Sequence, residues 1–243
     1  MTLISSNTVD FKTRYLDLRE KEGRIYTDEE LLHLPVVPKS HAHYAEWRIR
    51  KHSSKKLINY LSRKQSLIKI LEVGCGNGWL SRRLAEVQGS TVIGADINFT
   101  ELQQGARVFS HISNLHFIYG DIRSGIFETT QFDCILFASS IQYFPSLTEI
   151  ISHALKLLRP NGEIHILDSP FYKPGEVEAA RQRSTDHFTA LGFPELINYY
   201  SHHTTKGLSG FEYKTLYQPG SLSHFIFQPA NPFPWYCIKG NKM

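Results

Sequence analysis

Residues 70 to 79 read Ile-Leu-Glu-Val-Gly-Cys-Gly-Asn-Gly-Trp. Upstream lies the apolar run Leu67-Ile68-Lys69-Ile70-Leu71-Glu72-Val73, and downstream Trp79-Leu80-Ser81-Arg82-Arg83-Leu84-Ala85 takes up helical periodicity. The stretch predicts a strand, a tight turn and the start of a helix. Glycine is required where the backbone must adopt positive φ or lie against a ligand. A helix beginning near Gly78 offers free N–H groups and the positive end of its dipole. Such a turn receives a nucleotide-like molecule that carries an anionic group.

The spacing is not that of the dinucleotide fingerprint G-x-G-x-x-G, because the third glycine comes one residue early and neither Leu80 nor Ser81 replaces it. Further strand ends follow in order. Thr91-Val92-Ile93-Gly94-Ala95-Asp96 is a second short apolar strand that ends in a carboxylate. It lies roughly twenty residues past the turn, the separation at which an acid reaches ribose hydroxyls. An ionised carboxylate has only acceptor sites and takes both diol hydrogens at once. A third strand, Leu115-His116-Phe117-Ile118-Tyr119, runs into Gly120-Asp121-Ile122. Phe132-Asp133-Cys134-Ile135-Leu136-Phe137-Ala138 reads as a fourth strand, and residues 157 to 167 as a helix end, a turn and a fifth strand.

Taken together, residues 67 to 170 resemble the class I S-adenosylmethionine-dependent methyltransferases, in particular their broad type 11, quinone-biosynthesis-like group. The glycine turn is similar to that family's motif I, E/D-x-G-x-G-x-G. Leu158-Arg159-Pro160-Asn161-Gly162 looks like its L-(K/R)-P-G-G turn, with Asn161, which tolerates the left-handed conformation, in place of the first glycine. The resemblance implies a Rossmann-like α/β fold: a doubly wound, mostly parallel seven-stranded sheet with an antiparallel last strand and helices on both faces. It implies S-adenosyl-L-methionine as cofactor and S-adenosyl-L-homocysteine as product. By the same resemblance the cofactor is held by Glu72, Gly74, Cys75, Gly76, Asn77 and Gly78, by Asp96 and Ile97 at the ribose, and by Gly120, Asp121 and Ile122 at the adenine. Asp121 takes the exocyclic amine there, and the Ile122 N–H faces a ring nitrogen. Ala138 and Ser139, past the fourth strand, complete that set.

Composition agrees with one catalytic domain. The chain has 243 residues, 41% of them apolar, and its alternating strand and helix patterns favour a parallel sheet covered on both faces. No apolar run approaches a membrane span and no leader pattern opens the chain, which implies a cytoplasmic protein. Cys75, Cys134 and Cys237 suit neither a disulfide framework nor a zinc-site spacing, so they read as reduced thiols and no metal is expected. A net charge of +4 is a weak hint of nucleic acid. Lys51, Lys55, Lys56, Arg63 and Lys64 read more simply as a solvated helix face. After the fourth strand, Ala138-Ser139-Ser140-Ile141-Gln142-Tyr143-Phe144 lacks the (D/N)-P-P-(Y/F/W) tetrapeptide of amino-methyltransferases acting on nucleobases, and no Pro-Cys pair follows. Base methylation is disfavoured.

Residues 1–40 read as a polar, irregular N-terminal extension, with Leu34-Pro35-Val36-Val37-Pro38 opposing helix. The methyltransferase domain then spans 41–243, divided into a cover helix over 41–65, the cofactor core over 67–170 and an acceptor-side region over 171–243. In the cover helix Tyr44, Trp47 and Arg48 are expected to close the pocket, with Arg48 on the methionyl carboxylate and Trp47 either near the acceptor or anchoring the helix. In the last region Glu176 to Ala190 reads as a helix ended by Leu191-Gly192-Phe193, and Phe233 to Lys239 as the final edge strand. Between them Tyr199, Tyr200, His202, His203, Phe211, Tyr213, Tyr217, His224, Phe225 and Phe227 form an aromatic and histidine-rich stretch, readable as core or as an acceptor wall.

Methyl transfer asks mainly for alignment of acceptor, methyl carbon and sulfur and for exclusion of water. By position, Ser139, Ser140, Gln142, Tyr143, Asp168, Ser169 and Tyr172 face the transferred methyl. If a base operates, Asp168, His202 or His203 supplies it. A small-molecule acceptor is the leading reading. RNA or protein methylation, and a cofactor-binding protein without turnover, stand as alternatives.

Overall fold

The computed structural model describes residues 6–64, 67–220 and 231–240. Its centre is a seven-stranded sheet in the order β3-β2-β1-β4-β5-β7-β6. The strands are β1 (Ile68–Val73), β2 (Ser90–Asp96), β3 (Leu115–Tyr119), β4 (Phe132–Ala138), β5 (Leu158–Leu167), β6 (Tyr213–Tyr217) and β7 (Trp235–Lys239). Pairing is parallel from β3 through β5, whereas β7 runs antiparallel to both β5 and β6. The chain reverses its direction of progress across the sheet between β1 and β4, so a crevice opens beyond their carboxyl ends.

Seven helices complete the described architecture: α1 (Ser6–Lys21), α2 (Asp28–His33), α3 (Tyr44–Leu61), α4 (Trp79–Leu84), α5 (Phe99–Val108), α6 (Leu147–Leu157) and α7 (Val177–Leu191). The central strands are apolar on both faces, as covered parallel strands must be. Ile135 and Phe137 of β4 join Leu71, Ile151 and Ile166 in one layer. Cys134 and Leu136 join Leu57, Leu61, Leu80 and Leu84 in the other. Local chemistry sets the element ends. The Asn98 side chain accepts from the Glu101 N–H to start α5, and Gly192, left-handed at φ 89°, ends α7. Asn161 adopts φ 62°, so the expected left-handed asparagine is in place.

Two expectations are corrected. Residues 1–40 are not irregular throughout, because α1 and α2 lie within them. Phe11, Tyr15 and Leu18 recur at helical spacing; Leu18 and Phe11 seat α1 on Phe188, Phe193 and Leu196, and Tyr15 meets Tyr143. The edge strand is β6, while β7 sits between β5 and β6 with Tyr236 and Ile238 buried. His224, Phe225 and Phe227 lie outside the described residues.

Candidate active site

Above the carboxyl ends of β1, β4 and β5 lies a cavity of about 650 Å³. Glu72, Gly74, Cys75, Gly76 and Asn77 form its floor, Ala138, Ser139 and Asp168 one side, and α3, α1 and α7 its remaining walls. The floor is held by backbone bonds. Gly74 and Cys75 donate to the Ala95 carbonyl at 2.8 and 3.2 Å. The Gly76 N–H donates to one Asp96 carboxylate oxygen at 2.6 Å, and the Asn98 N–H to the other at 2.7 Å. Asp96 therefore ties the turn to the end of β2.

Two residues on the rim have left-handed backbones without being glycine: Ser139 at φ 54° and Asp168 at φ 53°. They follow β4 and β5 directly, and the Ser139 hydroxyl donates to the Asp168 carbonyl at 2.7 Å. Non-glycine residues in this region carry strain that surrounding structure must hold, a feature that gathers at ligand sites. The Asp168 carboxyl accepts from Ser53 at 2.5 Å and from Asn231 at 3.2 Å. These two bonds fix the carboxyl in the cavity wall.

Burial pushes several acids of the cavity upward. Glu72, hydrogen-bonded by the Ser81 hydroxyl, rises to about 8, and Glu101 to about 7. Desolvation is the main cause for both, and the nearby charge of Asp96 adds to it. Glu46 behaves oppositely. Desolvation would raise it, but Arg24 at 2.6 Å and Arg50 at 2.7 Å outweigh that and hold it at about 2. Because Glu72 and Glu101 are protonated in the folded protein at pH values where they ionise in the unfolded chain, stability falls as pH rises from the ordinary carboxylate range through about 8. The ligand-free protein is thus expected to melt lower near pH ~8.5 than near ~6. Glu72→Gln should flatten that slope in a thermal-shift series; an unchanged slope would clear Glu72 of responsibility.

Many of the expected site residues meet at the cavity: Glu72, Gly74, Cys75, Gly76, Asn77, Ala138, Ser139, Trp47, Gln142, Tyr143, Asp168 and Tyr172 all line it. Others do not. Asp96, Ile97, Gly120, Asp121 and Ile122 lie outside its lining, and the Asp121 carboxylate pairs with Arg123 at 2.6 Å. Gly78 sits behind the turn against Phe117. Ser140 and Ser169 turn inward to the carbonyls of Val73 and Leu167. The cover-helix expectation is corrected in detail. Arg48 is exposed and lies beside Tyr44 on the outer face, whereas Glu46, Trp47 and Arg50 face the cavity. A helix turns about 100° per residue, so a shift of two positions moves a side chain to the opposite face. His202 bonds the Ser184 hydroxyl at 2.9 Å, and His203 lies at 3.1 Å from the Ile141 carbonyl; neither lines the cavity.

Tyr15 and Arg19 of α1, Glu22 just past it, Glu101 and His187 line the cavity without having been singled out from the sequence, and Tyr200 of the aromatic stretch lines it too. The Phe11-Tyr15-Leu18 spacing was the available signal for α1.

Away from the cavity, Glu163, His165 and Cys237 cluster within 4.8 Å of one another. Trp235 donates its indole N–H to His165 Nδ1 at 3.1 Å, which leaves the ring proton on Nε2, 3.3 Å from Glu163. Glu163 also takes Lys64 at 2.7 Å and the Tyr60 hydroxyl. A proton already occupies the nitrogen that would bind a metal, and the cluster is a buried charge network.

Residues 70–162 match the family model described as a methyltransferase domain. The malonyl-[acyl-carrier protein] O-methyltransferase of Halalkalibacterium halodurans is 24% identical over 147 residues, 57% of this chain and 54% of that protein. The ubiquinone biosynthesis O-methyltransferase of Pasteurella multocida is 35% identical over 108 residues, 40% of this chain and 44% of that protein. The chain thus spans about half the length of these curated relatives. In three dimensions, geranyl diphosphate C-methyltransferase from Streptomyces coelicolor A3(2) is alike over the whole of both chains, with a TM-score of 0.65 at 13% identity, a likeness of fold. On the strength of its strand order, its glycine turn and these matches, the chain carries a methyltransferase domain of the class I, S-adenosylmethionine-dependent type.

Proposed function

We propose that the protein transfers the methyl group of S-adenosylmethionine to a small-molecule acceptor. The observation that carries this reading is the cavity of about 650 Å³ above the glycine turn, walled by α1, α3 and α7, a concave space on the scale of a cofactor with a small partner. In this reading Glu72 accepts the methionyl ammonium, Arg50 takes the carboxylate and Asp96 the ribose diol. The expected adenine contacts, Asp121 and the Ile122 N–H, lie beyond the cavity on the β3 side.

The sulfonium supplies the electrophile, so the chain's task is to hold the acceptor in line with the methyl–sulfur bond and to exclude water. A lone pair of the acceptor forms the new bond to the methyl carbon as the carbon–sulfur bond breaks. The bonding electrons pass to sulfur, which leaves as a neutral thioether. Trp47, buried against Trp79 at 5.2 Å, and Tyr143 keep the reacting volume dry.

Calorimetry tests the cofactor assignment. S-adenosylhomocysteine is expected to bind and to raise the melting temperature, and NAD to do neither. Asp96→Ala should cost about 2–4 kcal/mol of that affinity, since two charge-assisted hydrogen bonds are lost and the glycine turn loses its tie to β2. Wild-type affinity in a folded Asp96→Ala protein would move the ribose elsewhere.

A further inference from the structure

We propose that the methyl acceptor carries an anionic group, a carboxylate or a phosphate, which Arg19 of α1 binds beside a wall of tyrosines. This rests on the reading of the cavity as a methyl-transfer site. Arg19 lines that cavity, and its Nε is sealed from solvent with no hydrogen-bond partner. Among the described residues no ion pair reaches its guanidinium; the nearest recorded contact is the Tyr15 ring, 5.9 Å from Cζ. The neighbouring arginines each carry a protein carboxylate already, Arg50 keeping further N–H groups for the methionyl end. Arg24 pairs with Glu22 at 3.2 Å and Glu46 at 2.6 Å, and Arg50 with Glu46 at 2.7 Å. Glu101 and Glu22 favour its charge without bonding it, and a ligand anion at that position would supply the direct partner that Nε lacks.

The cofactor's own carboxylate is a poor match for Arg19. It is attached to the same carbon as the ammonium that Glu72 receives, so its partner must stand close to Glu72. Arg50 acts electrostatically on Glu72, on Asp168 and on Glu101. Arg19 shares Glu101 and Glu46 with Arg50 but acts otherwise on Tyr15, Tyr143 and Glu22, and is not among the leading influences on Glu72 or Asp168. Arg50 therefore serves the methionyl end, and Arg19 remains for the second substrate.

The wall beside it suits a flat apolar body. Tyr15 meets Tyr143 edge to face at 5.7 Å, and Tyr143 meets Tyr200 in the same way at 5.9 Å. Burial raises all three phenols, and with the Tyr143 hydroxyl directed to Tyr15, the Tyr15 and Tyr200 hydroxyls are the donors left for an anion. A cationic acceptor would be set against both Arg19 and the sulfonium.

The test uses the full chain loaded with S-adenosylhomocysteine and titrated with 4-hydroxybenzoate, phenyl phosphate and the neutral 4-hydroxybenzamide. At least one anion should bind tenfold or more tightly than the amide, in line with a charge-assisted bond. Arg19→Gln should erase that preference, keep S-adenosylhomocysteine affinity within about threefold and melt no lower than the wild type. Arg50→Gln should lose S-adenosylhomocysteine affinity instead. Equal binding of amide and anions, or binding of neither anion, overturns the proposal. So does a matching loss of S-adenosylhomocysteine in Arg19→Gln, which would assign Arg19 to the cofactor. Failure of the wild type to bind S-adenosylhomocysteine at all is seen before any acceptor probe is added, and it strikes the methyl-transfer reading itself.

Discussion

A valine at Gly76 is expected to give a folded protein that no longer binds S-adenosylhomocysteine measurably. Gly76 has φ 54°, and an added Cβ would meet only the Glu101 carboxylate, at 3.6 Å, an ordinary contact. Packing thus leaves room on the protein side. The penalty is conformational: left-handed backbone costs an L-residue about 1–2 kcal/mol, and more for a β-branched one. The valine relieves that strain by moving φ to negative values, which swings the Gly76 N–H away from Asp96 and lifts the turn into the space of the ligand. Affinity should fall by more than 100-fold, with circular dichroism unchanged and a melting temperature only a few degrees lower. Binding within threefold of wild type would place the cofactor away from this turn.

Two residues further on, the same kind of substitution should strike the fold instead. At Gly78, φ 74°, a Cβ would lie 2.4 and 2.5 Å from two atoms of the Phe117 ring. That ring has nowhere to go, because the backbones of Gly94 and Gly105 already approach it so closely that a Cβ there would stand 3.1 and 3.3 Å away. Gly78→Ala therefore combines left-handed strain with overpacking, for a loss of about 3–5 kcal/mol. For a domain of this size that is a drop of roughly 6–20 °C in melting temperature. Adding Phe117→Ala should return part of the loss, since two contacting sites are not additive. A melting temperature within 2 °C of wild type in the single variant would show that the ring yields freely.

These paired outcomes show what local sequence could convey. Gly74, Gly76 and Gly78 were legible as one turn because strand, glycines and helix are contiguous, and Asp96 was legible because it ends a strand of the right length. The left-handed Asn161 followed from its side chain's tolerance of that conformation. The division of labour among the glycines was not legible. Phe117, which makes Gly78 structural, comes from β3, and nothing near Gly78 in the chain announces it.

The same limit explains the cover of the cavity. In α3 the helical period was evident, but its rotation about its own axis is set by Leu57 and Leu61 docking on the sheet, and that docking puts Arg50 inward and Arg48 in solvent. In α1 a sparse apolar stripe amid charged residues resembled an irregular tail until α7 and the segment after it supplied the surface that Leu18 and Phe11 cover. β7 read as an edge because a strand's own residues do not say which neighbour lies beyond it.

By itself the sequence determined the class of fold, the cofactor turn and the strand-end acids, all of which rest on contacts between residues near one another in the chain. Only the tertiary structure decided that Arg24 and Arg50 meet Glu46 while the Arg19 Nε meets no hydrogen-bond partner among the described residues, that α1 helps to wall the cavity, and that Glu163, His165 and Cys237 come together beside Lys64. Each of those depends on the distance between side chains far apart in sequence, and on how completely their meeting excludes water.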